Sequence, residues 1–162
     1  MFIYRIATEA DLERIWDFNI SQNPDDARWA EWKSVALANN KSGQSKTFVV
    51  LWGEQPIGEV TLILSPESGA IRGRLELCNG KDIANMNAFR IKKEFEGQGH
   101  VSKLLKLAED YARSIGIKTL TIGVEEKEAR NLAIYKHWGF VELMHEEIED
   151  GEPVLYFKKS IV

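Results

Sequence analysis

The chain has 162 residues, 44% of them hydrophobic, a formal charge of −4 and one cysteine. That is enough apolar sequence for one domain with a real core, expected over residues 1–162. The acidic balance argues against a general nucleic-acid binder, and the lone Cys78 excludes an intrachain disulfide and fits a reducing compartment. No run of eighteen apolar residues occurs, so no membrane span or membrane partner is expected. The first residues lack a basic region followed by an apolar run, which points to a cytoplasmic protein. No pair of His, Cys or acidic residues has the spacing of metal ligands, so no metal is expected.

Tyr4-Arg5-Ile6 reads as a first strand, and Thr8 with Asp11 three residues on reads as a capping box opening a helix. Leu12, Ile15, Trp16 and Ile20 give that helix its apolar stripe. Asn23-Pro24-Asp25-Asp26 suits the start of a second helix, with proline in the first turn and acids at the positive end. Trp29, Trp32 and Ala36 give it an apolar side. A hairpin follows, Thr47 to Trp52 and Ile57 to Leu64 around Gly53-Glu54. Residues 65–82, with Pro66, Gly69, Gly73 and Gly80, read as irregular.

Ile83 to Ile91 is a further strand, and it runs into Phe95-Glu96-Gly97-Gln98-Gly99-His100-Val101. This glycine-bearing loop passes directly into an amphipathic helix carrying Val101, Leu104, Leu105, Ala108, Tyr111, Ala112 and Ile115 on one face. The order aims free backbone N–H groups, at the positive end of a helix dipole, at whatever rests on the loop. A phosphate or pyrophosphate suits such a place. The loop is not a dinucleotide fingerprint, because Ser102 stands where a third glycine is needed, and no Walker-type Gly-Lys-Ser/Thr follows. Gly116 stops the helix, Lys118 to Val124 is the next strand, and Asn131 to Phe140 carries a tyrosine ahead of Gly139-Phe140. The chain closes on a hairpin around Asp150-Gly151 with Glu146, Glu147, Glu149 and Glu152 beside the turn.

These segments together resemble the GNAT N-acetyltransferase superfamily. The loop aligns with its R/Q-x-x-G-x-G/A pattern, with Glu96 in the basic or amide place, Gly99 in the glycine place and Val101 in the small-residue place. The opening Arg5-Ile6-Ala7-Thr8-Glu9-Ala10-Asp11-Leu12 is similar to the superfamily's R-x-A-T-x-x-D-L start. The resemblance implies an α/β (α+β) acyl-CoA N-acyltransferase fold. Its mixed central sheet would have about six to seven strands with flanking helices, in the order β-α-α-β-β-β-α-β-α-β-β.

The resemblance further implies acetyl transfer from acetyl-CoA to a primary amine of a small molecule or peptide. The backbone of Phe89, Arg90 and Ile91 would pair with the pantetheine arm. The loop through Glu96, Gly97, Gln98, Gly99, His100, Val101 and Ser102 would hold the pyrophosphate, and Asn131 would add a cofactor contact. Lys92, Lys93, Lys103 and Lys106 are available to the 3′-phosphate. Tyr135 would protonate the departing thiolate, since a phenol of pKa about 10 matches a thiol leaving group.

The general base is open: Glu76 is the first candidate, Glu59 and a water chain are the others. Asn85 and Asn87, on the strand where many relatives carry an acid, cannot take a proton at neutral pH. His100 and His137 read as surface or packing residues. The acidic hairpin, with Asp25, Asp26 and Glu31 and the walls Trp29 and Trp32, suggests a cationic acceptor. The alternative reading is a regulatory or interaction module that binds acyl-CoA without turnover. A homodimer is compatible with either.

Overall fold

Seven strands and four helices form along the chain, in a computed structural model that describes residues 1–162. They are β1 (Phe2–Ile6), α1 (Glu9–Ser21), α2 (Arg28–Ser42), β2 (Ser45–Trp52), β3 (Gln55–Ile63), β4 (Ile83–Ile91), α3 (His100–Ser114), β5 (Thr119–Glu125), α4 (Ala129–His137), β6 (Glu142–Glu149) and β7 (Glu152–Ser160). The order is the one expected. Hydrogen bonds join the strands as β1-β2-β3-β4-β5-β7-β6, a mixed sheet in which β4 and β5 are the parallel pair. The chain divides into two compact units, residues 1–63 with 88–110, and residues 64–87 with 111–162.

In the first unit, β1, β2 and β3 form an antiparallel meander whose core is Phe48, Val49, Val50, Leu51, Ile57, Val60 and Leu62. Leu12, Ile15 and Trp16 of α1 and Leu104, Leu105 and Ala108 of α3 are buried there too. Removing this much branched apolar surface from water is the main force holding the unit together. The capping box forms as expected: Asp11 N–H donates to Thr8 Oγ1 at 3.1 Å, and Thr8 N–H donates to Asp11 Oδ2 at 3.0 Å. Arg5 grips the same carboxylate with Nε at 3.0 Å and Nη2 at 2.9 Å. Burial works against the Asp11 charge, yet the hydrogen bonds from Arg5 and Thr8 outweigh it and hold its pKa below the usual value. The Arg-Thr-Asp signature at the start of the chain is therefore a fastening of α1, with no side chain left over for chemistry.

The second helix begins later than expected. Pro24 and Asp25 lie in a turn, where Asp26 N–H donates to the Asn23 carbonyl at 3.2 Å. The Asp26 carboxylate accepts from Arg28 N–H at 3.0 Å, so the acid that caps the helix acts two residues on and moves its start to Arg28. No residue of α2 is fully buried, and Trp32 remains 39% exposed.

Strand β4 closes tightly on β3. Lys92 N–H donates to the Ile57 carbonyl at 2.8 Å, and Ile57 is the residue skipped where the β2–β3 register shifts. A Cβ at Gly58 would sit 2.7 Å from Ile91 Cδ1 and 3.0 Å from the Arg90 carbonyl, so only glycine permits this approach. Ala88, with φ +56°, breaks the regular pleat of β4, a left-handed conformation uncommon for a residue with a Cβ.

The second unit is built on β5, β7 and β6 beside the first half of β4. Ile83–Met86 run parallel to Thr119–Ile122, and β5 pairs along its whole length with β7. Ile71, Leu77, Cys78, Ala84, Met86, Leu120, Ile122, Phe140 and Phe157 are among its buried side chains. Cys78 packs as a small apolar residue, and burial pushes its thiol pKa up. The expected stop of α3 at Gly116 is present, with φ +89°. Ile115 is exposed rather than part of the apolar face, because the helix ends at Ser114 and Ile117 takes the buried place after the reversal. Asp150 and Gly151 both adopt positive φ, +52° and +79°, the combination a type I′ hairpin turn requires.

Candidate active site

The loop ahead of α3 lies within the first unit and has the form that anion binding needs. A 3-10 turn at Lys93–Phe95 leads into Glu96-Gly97-Gln98-Gly99, all exposed, and α3 begins at His100. Gly97 and Gly99 have φ of +75° and +82°, and a Cβ at either would meet nothing within 4 Å. Both glycines serve conformation, leaving open space above the loop. Lys103 N–H begins the backward hydrogen bonding, to the Gly99 carbonyl at 3.2 Å. The amides of the first helical turn point outward along the axis, at the positive end of the dipole. An exposed loop of this shape fits a diphosphate. Around it, Lys103 lies over the Tyr4 ring, Lys92 over the Phe18 ring, and Lys106 reaches Asp110 at 3.4 Å.

His100, the first residue of α3, turns its side chain away from the loop opening and is 4% exposed. Its Nδ1 lies 2.6 Å from the Tyr4 hydroxyl and its Nε2 lies 3.1 Å from Gln98 Oε1. A neutral ring with its proton on Nε2 satisfies both, accepting from Tyr4 and donating to Gln98. The Phe2 ring lies tilted against it, centroids 4.3 Å apart. Burial first, and the Lys103 charge second, lower its pKa. The imidazole belongs to the packing of the first unit, tied to Tyr4 and Gln98.

Arg90 on β4 was expected to offer its backbone, and the structure adds a side-chain role that sequence reasoning missed. The guanidinium lies 5.1 Å from the ring centres of both Trp16 and Trp29. Its Nη1 is 3.3 Å from Glu59 Oε1, and the other Glu59 oxygen accepts from Asn19 Nδ2 at 3.1 Å. Glu59, 1% exposed, has its pKa raised by burial against the opposing pull of Arg90 and Asn19. It is thus a buried charge partner, closed to solvent. The tryptophans expected to wall in a cationic ligand already hold the chain's own arginines, with Arg28 5.2 Å over Trp32. No periodicity links Asn19, Glu59 and Arg90; the only sequence signal was the apolar placement of Trp16 and Trp29.

In the second unit Tyr135 lies on α4, half-buried, its ring 5.8 Å from that of Trp138. Burial, and secondarily the negative charge of Glu128, raise its pKa. The phenol therefore stays protonated at neutral pH, as a proton donor must. Asn131 is exposed one turn earlier on the same helix face. Glu76 is exposed in the irregular segment between β3 and β4. Asn85 is buried and braces β5, its Nδ2 donating to Thr121 Oγ1 at 2.9 Å, while Thr121 donates to the Leu77 carbonyl at 2.7 Å. His137 is exposed, as read.

The acidic hairpin differs from its expected role as an open field. Glu147 pairs with Arg74, and Glu149 lies 3.2 Å from Arg72 and 3.6 Å from Arg74. Tyr156 donates its hydroxyl to Glu149 and accepts from Arg74 at 3.2 Å, with His145 stacked on its ring at 5.1 Å. Glu152 is 3.3 Å from Lys127. Arginines from the irregular segment, distant in sequence, neutralise much of what the linear run suggested.

The sheet order, the double-glycine loop and the tyrosine helix define a fold of the acyl-CoA transferase class. The chain belongs to the Acetyltransferase (GNAT) family, which it matches over residues 4–140. Among solved structures it is similar to a GNAT-family protein from Desulfovibrio desulfuricans, with TM-score 0.77 and 10% identity over 100% of both chains. A protein from Salmonella typhimurium solved with its cofactor acetyl-CoA gives 0.71 and 15%, covering 99% of this chain and 94% of that one. A spermidine N-acetyltransferase chimera involving the Vibrio cholerae enzyme gives 0.71 and 20%, covering 99% and 95%. At such identities the likeness is one of fold. Among curated proteins, none matches this sequence.

Proposed function

We propose that the protein is an acetyl-CoA-dependent N-acetyltransferase acting by direct attack of a primary amine, on a small molecule or peptide, upon the thioester. Family membership supports the reaction class, and the observation that carries it to this chain is the exposed Gly97–Gly99 loop opening onto α3. In this reading the amides from Gly97 to Val101 bind the pyrophosphate and the backbone of Phe89–Ile91 takes the pantetheine arm. Asn131 contacts the cofactor. Tyr135 gives its proton to the coenzyme A thiolate, and its raised pKa suits that role. Glu76, exposed, is the candidate base, with a water chain as the substitute. No helix is long and apolar enough to cross a membrane, which accords with a cytoplasmic enzyme.

The test is an acceptor screen with acetyl-CoA that reads free thiol. It covers amino acids, peptides with free N-termini, aminoglycosides and polyamines, the last kept by the spermidine enzyme among the structural neighbours. A cationic acceptor would show kcat/KM falling steeply with salt, since screening shortens the reach of exposed charge to about 8 Å. Glu96, a negative charge exposed in the loop, favours the second reading, acyl-CoA binding without turnover. Tight acetyl-CoA binding with no thiol released from any acceptor would select it.

A further inference from the structure

We propose that Arg90 receives a carboxylate of the acceptor, so that the amine acetylated by this protein belongs to an amino-acid-like molecule. The inference rests on the acetyltransferase reading and specifies its substrate class. A guanidinium offers five N–H donors in a rigid fork that matches a carboxylate. Here that fork is held in place before any ligand arrives. Trp16 and Trp29 each lie 5.1 Å from it, and Asn19 fixes the Glu59 carboxylate that touches Nη1.

The fork is also underused. Nη1 faces Glu59 Oε1 at 3.3 Å and is closed to solvent, while Nε and Nη2 make no hydrogen bond to another residue. The edge formed by Nε and Nη2 is left to take a carboxylate in the side-on bidentate mode. The side chain remains 31% exposed, so a ligand can approach it.

The side chain stands against α1 and α2 through Trp16 and Trp29, while the pantetheine contact assigned to this strand uses backbone. A role toward the acceptor therefore does not compete with one toward the cofactor. A polyamine, by contrast, would meet a cation already resting against both aromatic rings.

The experiment compares matched amines on the unaltered protein: each of a set of L-amino acids, its carboxamide, and the amine lacking the carboxylate. The kcat/KM for the preferred amino acid should exceed that for its carboxamide by roughly tenfold to a hundredfold, the scale of a charge-assisted bidentate contact. Arg90→Gln should raise KM for that amino acid and erase the preference, leaving KM for acetyl-CoA unchanged. Arg90→Lys, which keeps charge and loses the fork, should fall between. Equal use of acid and carboxamide, or turnover only of amines without a carboxylate, overturns the assignment and leaves the acetyltransferase reading standing. A rise in KM for acetyl-CoA in Arg90→Gln also overturns it, moving the arginine to the cofactor. No thiol release from any amine ends both. Because the substrate pairs are compared on the unaltered chain, a poorly folding variant does not shield the proposal.

Discussion

The Tyr4 hydroxyl lies 2.6 Å from Nδ1 of His100, a hydrogen bond joining residues ninety-six positions apart. It fastens the first strand to the residue with which α3 begins, directly after the Gly97–Gly99 loop. Tyr4→Phe leaves His100 Nδ1 buried without its donor, a loss of about 1–2 kcal/mol. A chain of this size should melt roughly 2–4 °C lower for each of those kcal/mol. Calorimetry checks the stability, and KM for acetyl-CoA, expected to rise, checks the link to the loop.

The same histidine makes the fold sensitive to mild acid. Burial, then Lys103, lowers its pKa, so the unfolded chain binds a proton more readily than the folded one. Stability from the neutral ring is complete above the unfolded value of about 6.5 and declines as pH falls toward the folded value. Melting curves of the wild type should therefore drop between neutral and acidic pH more than those of His100→Gln. Parallel curves would remove His100 as the cause.

Gly99 has φ +82° with nothing near its Cβ position, so a larger residue is resisted by backbone strain and by loss of space above the loop. Acetyl-CoA at a hundred times its dissociation constant should stabilise the wild type by about 2.7 kcal/mol. Gly99→Val should abolish that shift and keep a cooperative melt. An undiminished shift in the variant would place the diphosphate elsewhere.

Tyr135→Phe keeps the ring and its packing against Trp138 while removing the proton. Turnover should fall by about 10²-fold, with acetyl-CoA affinity retained. Since the folded phenol is shifted above 10, the acid form survives through the alkaline range, and kcat should not decline on its account below that pH. An unchanged kcat with a proven acceptor would assign the proton to water.

Tyr156 is pushed up to about 12, by burial first and by its hydrogen bond to Glu149 next. Its neutral form is favoured by folding, so the associated stability is full below the unfolded value of about 10 and is lost as pH rises through 12. Glu149→Gln should lower that titration in an ultraviolet scan. It should also destabilise the protein at neutral pH, because Arg72 and Arg74 lose a partner. A titration at the same pH in both proteins would show that Glu149 does not hold the phenol.

Local rules were readable along the chain. The Thr8–Asp11 box, the α3 stripe through Leu104, Leu105, Ala108 and Ala112, the Gly116 stop and the Asp150-Gly151 turn all formed where residue type and spacing placed them. Each depends on neighbours within a few positions, which is why one sequence suffices. The start of α2 was misplaced because two acids and a proline offered competing caps, and Asp26 prevailed by bonding forward to Arg28.

Side-chain partnerships between distant segments followed no such rule. The linear run Glu146 to Glu152 looked like an open acidic field until the fold set Arg72, Arg74 and Lys127 against it. Glu59 looked like a spare base until burial paired it with Arg90. The residues themselves determined the strand–loop–helix run and the family to which it belongs, through short-range periodicity and glycine placement. Only the tertiary structure decided which charges are neutralised and that Arg90 rests against Trp16 and Trp29, because Coulomb and cation–π energies depend on separations that sequence distance does not encode.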